Sequence, residues 1–256
     1  MLSRTMHGFT YDDVHDEIVV NSPLAQAILT FRGGANGEEP PVRVIQGPRT
    51  QIIGDAYAAL DKVTVDGVNS EIYLPLGNGQ LRGRRDTPVG ILVFDRLANG
   101  DVPPKRVLMG PKTQITGSKP PVAVDPIHNV LILNLNNAFL VFDRTAGGDT
   151  APKAVIRGPQ SQVSSLDNFR ITPTGMIIGR CTGESVCAWS INDNGDVPPR
   201  WRIPVKDLTG YRVSGVALVA AHKEVIFSVA GWGNNDYPPS GIMNAVLTFS
   251  WPEVFQ

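Results

Sequence analysis

Two stretches of the chain gather side chains suited to meeting a partner. In residues 76–88, LGNGQLRGRRDTP, Arg82, Arg84 and Arg85 fall within four positions. Planar cationic forks of this kind suit carboxylate or phosphate. In residues 231–241, GWGNNDYPPSG, Trp232 and Tyr237 flank the polar Asn235 and Asp236. Flat amphipathic rings suit a sugar or a protein surface. The competing readings are structural: a solvated charge run for the arginines and a packing plug for Trp232.

Three further groups could do chemistry. Cys181 and Cys187 stand on either side of Thr182-Gly183-Glu184-Ser185, so they could face each other across a hairpin. A disulfide there would favour an oxidising compartment, periplasmic or secreted rather than cytoplasmic, whereas a one-residue change of register would prevent it. Redox activity is disfavoured, because there is no CxxC and no helix start to lower a thiol pKa. His15, His128 and His222 recur at one place in a repeated pattern, where Asn69 also stands. Asn and His both tolerate turn geometry, so these residues read as turn formers. A metal held by His15 and His222 is the weaker alternative. No GxSxG elbow, HExxH, phosphate-cradling glycine loop or dinucleotide fingerprint occurs.

The elements that must hold these groups are repeats. ILVFDRLANGDVPPKRVLMGPKTQI (91–115) returns as ILTFRGGANGEEPPVRVIQGPRTQI (28–52), as FLVFDRTAGGDTAPKAVIRGPQSQV (139–163) and, eroded, as CAWSINDNGDVPPRWRIPV (187–205). The segments leading into each repeat also align: FTYDDVHDEIVV (9–20), VTVDGVNSEIYL (63–74), VAVDPIHNVLIL (122–133) and VALVAAHKEVIF (216–227). Each reads as two short β-branched strands joined at a tight turn. The unit is therefore four antiparallel strands over about 45–50 residues, the period of a propeller blade. Helix periodicity is absent.

The expected fold is all-β, a single β-propeller domain over 1–256. Its blades span approximately 7–53, 61–116, 120–164, 167–207 and 213–256. The fifth lacks a GP-type fourth strand, and Leu2-Ser3-Arg4-Thr5 resembles the Gly47-Pro48-Arg49-Thr50 segment that follows such a strand. A closing strand from residues 1–6, or from upstream, is expected to complete it. A sixth blade from upstream is the alternative. Fourth strands are expected at residues 42–46, 106–109, 154–157 and 201–205. Between third and fourth strands, Asn-Gly-Asp followed by Pro-Pro fits the outer rim, since proline cannot donate to a ladder.

Repetition separates scaffold from site. A residue repeated in several blades is required by the blade, whereas one found in a single blade is free for function. Asp95 with Arg96, and Asp143 with Arg144, therefore read as makers of local turns and inter-blade pairs. The two partner-suited stretches break the pattern, both between second and third strands. Strand alternation places such connections on one face, flanking the first blade.

Bulk composition sets wider limits. With 256 residues, a formal net charge of -1 and 18% charged residues, no basic field argues for nucleic acid. No apolar run approaches the roughly 20 residues needed to cross a bilayer as a helix.

The repeat resembles NHL-type β-propellers, and especially uncharacterised bacterial repeat proteins whose units carry VFDRxANGDxxPxRxIxGPxT. The resemblance covers nearly the whole chain. It implies the propeller fold and leaves the chemistry open, since propellers host hydrolases, lectins and protein scaffolds. A gluconolactonase-like hydrolase would need a Glu/Asn/Asp set holding calcium, for which Asn136, Asn137, Asp167 and Asn168 are the candidates. A glycan-binding, lectin-like propeller is another reading. The favoured expectation is a non-catalytic scaffold that uses no cofactor and binds a protein, glycan or other polar ligand through the two irregular connections.

Overall fold

The computed structural model describes residues 8–23, 25–53, 62–77, 88–117, 120–164, 169–230 and 244–256. The alternating β-branched segments form five antiparallel sheets. In the first, β1 (Gly8–Asp12), β2 (Glu17–Ser22), β3 (Ala27–Arg32) and β4 (Arg43–Gln46) pair in chain order. The second holds β5 (Thr64–Asp66), β6 (Glu71–Leu76), β7 (Gly90–Asp95) and β8 (Arg106–Leu108). The third holds β9 (Val122–Asp125), β10 (Val130–Leu135), β11 (Ala138–Asp143) and β12 (Ala154–Arg157). The fourth holds β13 (Arg170–Ile171), β14 (Met176–Cys181), β15 (Ser185–Ser190) and β16 (Trp201–Ile203). The fifth has three strands among the described residues: β17 (Arg212–Val219), β18 (Glu224–Ala230) and β19 (Asn244–Ser250). The protein is a five-bladed β-propeller. No helix among the described residues is long and apolar enough to cross a membrane.

The first hairpin of every sheet closes in the same way. The residue just before the second strand has positive φ in all five: Asp16, Ser70, Asn129, Gly175 and Lys223. This left-handed position favours Gly, Asn and Asp.

One sequence expectation needs correction. The fourth strand expected at 201–205 stops at Ile203, and α1 (Val205–Thr209) follows. Pro204 has no N–H to extend the ladder, and its carbonyl instead accepts from Leu208 N–H at 3.0 Å. The turn also buries Val205 in the core.

The chain divides into two compact units, Met1–Asn129 with Asp143–Pro152, and Val130–Phe142 with Lys153–Gln256. In the first, Val19, Ile28, Ile45, Ile72, Leu74 and Phe94 belong to one apolar cluster. In the second, Ile178, Val186, Val213, Phe227 and Trp251 do the same. There too Phe139 meets Phe169 and Trp189, each with ring centroids 5.2 Å away, and Trp189 Nε1 donates to Ser161 O at 3.0 Å.

The Asn-Gly-Asp connection is a clasp. Gly100 N–H donates to Val44 O at 2.6 Å and Gly100 O accepts from Gln46 N–H at 3.1 Å, so the second sheet's connection bonds to β4 of the first. Gly148 repeats this on Val107 and Met109, and Gly195 on Val155 and Arg157. Asn99 Oδ1 accepts from Val44 N–H, and Asn194 Oδ1 from Val155 N–H, both at 2.9 Å. The aspartate then caps the next turn: Asp101 Oδ1 accepts from Arg49 N–H, Asp149 Oδ1 from Lys112 N–H and Asp196 Oδ1 from Ser161 N–H, at 2.7–2.8 Å. The glycine of Gly-Pro makes room for it. A Cβ on Gly110, whose φ is +139°, would lie 2.3 Å from Asp149 Oδ1.

Candidate functional site

The two irregular connections join strands that are already paired at the base. Leu76 lies opposite Gly90 in the β6–β7 ladder, and Ala230 opposite Asn244 in the β18–β19 ladder. Each connection therefore leaves and re-enters its sheet at neighbouring positions. Arg82, Arg84, Arg85, Trp232, Asn235, Asp236 and Tyr237 lie outside the described residues, as do Asp167 and Asn168.

Two of the recurring histidines, His15 and His128, are fastened inside their own turns. His15 Nδ1 lies 2.9 Å from Asp12 Oδ2 and His128 Nδ1 lies 2.6 Å from Asp125 Oδ2. Asn69 Nδ2 donates to Asp66 Oδ2 at 2.8 Å, so amide and imidazole fill the same role. His222 Nδ1 sits 3.6 Å from Glu224 Oε2. Among the described residues no group of three or more His, Cys, Asp or Glu side chains is arranged to hold a metal ion.

Asp95 and Arg96 act as their recurrence implies. Asp95 Oδ1 accepts from Leu97 N–H at 2.8 Å, which closes the local turn. Arg96 reaches back to the first sheet, where its Nη1 donates to Glu17 Oε2 at 2.6 Å. Arg43 Nη2 donates to the same oxygen. Burial would raise the Glu17 carboxyl pKa, yet the hydrogen bonds from Arg43 and Arg96 hold it below its usual value.

The same arrangement, enlarged, joins Glu71 to Arg144. Arg106 grips Glu71 with two bonds of 2.6 Å, Arg144 Nη1 donates at 2.8 Å, Tyr73 Oη donates at 2.7 Å and Lys105 Nζ lies 2.9 Å away. Burial pushes the carboxyl up. The bonds from Arg106, Lys105 and Tyr73 outweigh that and bring it to about 2. Burial, and then the bond to Glu71, push the Tyr73 phenol above its ordinary value. A carboxylate held ionised and saturated with donors in this way is a weak proton acceptor and no proton donor at neutral pH. Glu17 and Glu71 were missed as partners in the sequence, although each opens a second strand two to four positions after the recurring turn.

The remaining candidates are also structural. Asn136 and Asn137, both at positive φ, make the two-residue turn between β10 and β11, as amide residues do in tight hairpins. Cys181 and Cys187 form a disulfide with a Cα–Cα distance of 5.8 Å. Cys181 lies opposite Ser185 and Cys187 opposite Gly179, so the bond runs diagonally between β14 and β15. Both cysteines are buried.

No protein-family model matches the chain, and no curated protein matches it. Among solved structures, it is similar to a functionally unknown protein from Desulfotomaculum acetoxidans, with a TM-score of 0.58 and 13% identity over 96% of this chain and 70% of that one. Kuenenia stuttgartiensis hydrazine synthase gives a TM-score of 0.60 and 12% identity over 96% of this chain. Chaetomium thermophilum Raptor gives 0.56 and 12% identity over 89% of this chain. The chain spans 62% of the hydrazine synthase chain and 19% of the Raptor chain. At these identities the shared feature is the propeller fold.

Proposed function

We propose that this propeller is a non-catalytic binding or scaffold module of NHL-like character, engaging a protein or a polar ligand such as a glycan through its irregular second-to-third connections. The observation carrying this reading is that the repeated polar residues are consumed by construction. Asp101 and Asp149 cap turns, Glu17 and Glu71 are saturated by arginines, and His15 and His128 are bound to aspartates. The unrepeated Arg82, Arg84, Arg85, Trp232, Asn235, Asp236 and Tyr237 are then the groups left for recognition. The disulfide supports a periplasmic or secreted setting.

The test is capture of a partner from the native source with the full chain, followed by binding measurements on two variants. Replacing Arg82, Arg84 and Arg85 with Ser, or Trp232 and Tyr237 with Ala, should weaken capture at least about tenfold in one variant. Unchanged affinity in both would remove these connections from the site. Calcium-dependent lactone hydrolysis by the purified chain would replace the reading with an enzymatic one.

A further inference from the structure

In the first three sheets, the hairpin turns β1–β2, β5–β6 and β9–β10 share one end of the strands with the connections from third strand to fourth. The residues that make up this end, 12–17, 32–43, 66–71, 95–106, 125–130 and 143–154, are all described. Two positions before the positive-φ residue of each hairpin stand Val14, Val68 and Ile127. They are 55%, 68% and 68% exposed. Turns favour Gly, Pro, Asn, Asp and Ser, so a β-branched apolar tip is no turn preference. Nor do the side chains build the turns. Asp12 Oδ1 accepts from Val14 N–H at 3.1 Å, Asp125 Oδ1 from Ile127 N–H at 2.8 Å and Asp66 Oδ1 from Asn69 N–H at 2.9 Å, all through the backbone. One exposed apolar side chain is ordinary, whereas three at one register position in consecutive sheets mark a surface.

The tips are neighbours. β1 lies against β5 and β5 against β9. A Cβ on Gly67 would come within 2.9 Å of Val14 Cβ, so the first turn rests on the one that carries Val68. Arg96 N–H donates to Ser70 O at 2.9 Å, which sets Leu97, 60% exposed, beside that same turn. Arg144 ties the third turn to the second, since its N–H donates to Asn129 O and its Nε lies 3.6 Å from Asp66 Oδ2. The surroundings are acidic. This end carries 13 Asp and Glu against 7 Lys and Arg, whereas the whole chain has 24 against 23. Of those cations, Arg43, Arg96, Arg106 and Arg144 are mostly buried and committed to Glu17 and Glu71. Lys105 is bound to Glu71 and Arg32 to Glu39, while Asp13, Glu38 and Asp95 are exposed.

We infer that Val14, Val68, Leu97 and Ile127 form a docking row for a basic amphipathic helix of a partner protein. Packed sheets lie about 10 Å apart, which is the rise of about seven helical residues at about 1.5 Å each. A helix with an apolar residue at every seventh position therefore presents one to each tip, all on one face. An extended segment covers the same distance in about three residues, and its third residue points to the other side. An apolar stripe about 100° wide also reaches Leu97 beside the row. Lys and Arg flanking the stripe meet the carboxylates of this end, which supplies orientation and selectivity. The row lies at the opposite end of the strands from the β6–β7 connection, so it is a second surface and does not rest on the function proposed for that connection.

The probe is a labelled synthetic helix of about three heptads, with Leu along one face and Lys on the other, titrated with the full chain by fluorescence anisotropy. Saturable binding is expected, weakened at least about tenfold by Val68→Ser with Ile127→Ser and about threefold by Leu97→Ser. Both variants should melt with the parent, since these side chains are exposed. The same Leu stripe with Glu in place of Lys, and the Lys peptide in scrambled order, should not bind. Replacing Arg82, Arg84 and Arg85 with Ser should leave the affinity unchanged, which separates this row from the irregular connections. Absence of saturation at millimolar peptide overturns the proposal. So does equal binding by either control peptide, unchanged affinity in the double serine variant, or loss of binding in the arginine variant. A serine variant that melts well below the parent would show side chains that pack rather than dock, with the same consequence. Dimers in sedimentation that dissolve in the double serine variant would assign the row to a second copy. Flotation with phosphatidylcholine vesicles that is lost in that variant would assign it to a lipid surface, and either result overturns the proposal.

Discussion

Replacing Glu71 with Gln removes the charge shared by Arg106, Lys105 and Arg144 while keeping the side-chain shape. The depression of the carboxyl from 4.5 to about 2 corresponds, at about 1.4 kcal/mol per pH unit, to roughly 3–4 kcal/mol. Lys105 is half exposed and its share is screened, so a cost of about 2–3 kcal/mol is expected at pH 7, or about 5–10 °C in Tm. The sign with pH follows from the direction of the shift. A depressed carboxyl contributes fully above its unfolded value near 4.5, and that contribution disappears as pH falls towards 2. The gap between parent and Glu71→Gln should therefore close over that window.

The chain also supplies the compensating change. The positions of Glu71, Tyr73, Arg106 and Arg144 correspond, one blade on, to Val130, Ile132, Ala154 and Ile191, and Val130, Ile132 and Ile191 are buried. Buried ion clusters and packed apolar groups are energetically close, whereas a broken cluster is costly. The combined replacement Glu71→Val, Tyr73→Ile, Arg106→Ala and Arg144→Ile should thus recover to within about 1 kcal/mol of the parent. Urea unfolding at pH 7 and pH 3 measures both effects. If Glu71→Gln is neutral at pH 7, if its cost does not change with pH, or if the combined variant is no better than the single one, the reasoning is wrong.

Gly110→Ala should lower stability by about 2–4 kcal/mol, read from melting, because its Cβ would strike Asp149 at a φ that L-residues avoid. The cysteines should be unreactive to thiol reagent in denaturant until reductant is added. Cys181→Ser with Cys187→Ser should cost about 2 kcal/mol for so short a closed loop. His15→Asn should be neutral within about 0.5 kcal/mol, since Asn69 makes the equivalent bond to Asp66. A loss well above 1 kcal/mol in that variant would mean that the imidazole does more than hold the turn.

The propeller was legible because the same strand and turn signals recur blade after blade, so each weak local preference was read several times over. The end of the fourth sheet, where β16 yields to α1, was misread because the strand was carried through Pro204, which has no N–H for the ladder, to Val205, which suits a strand locally but is buried at the start of the helical turn. The disulfide was visible as a possibility only, since a diagonal pair depends on register and spacing alone does not set register. The recurring Asp-Arg pair announced itself as scaffold, yet its acceptors Glu17 and Glu71 did not, because they stand 79 and 73 residues away from Arg96 and Arg144.

The stretches around residues 82–85 and 232–237 were marked by chemistry and by their break from the repeat, and that mark is a property of the sequence. Strand order, hairpin turns and the identity of the scaffold residues likewise follow from local pattern, because backbone preferences act over a few neighbouring residues. Only the tertiary structure decided that the Asn-Gly-Asp connection clasps the preceding sheet and that Glu71 is saturated by residues from two sheets. Each of these depends on distant segments meeting, and such meetings are fixed by packing across sheets, which local sequence pattern does not record.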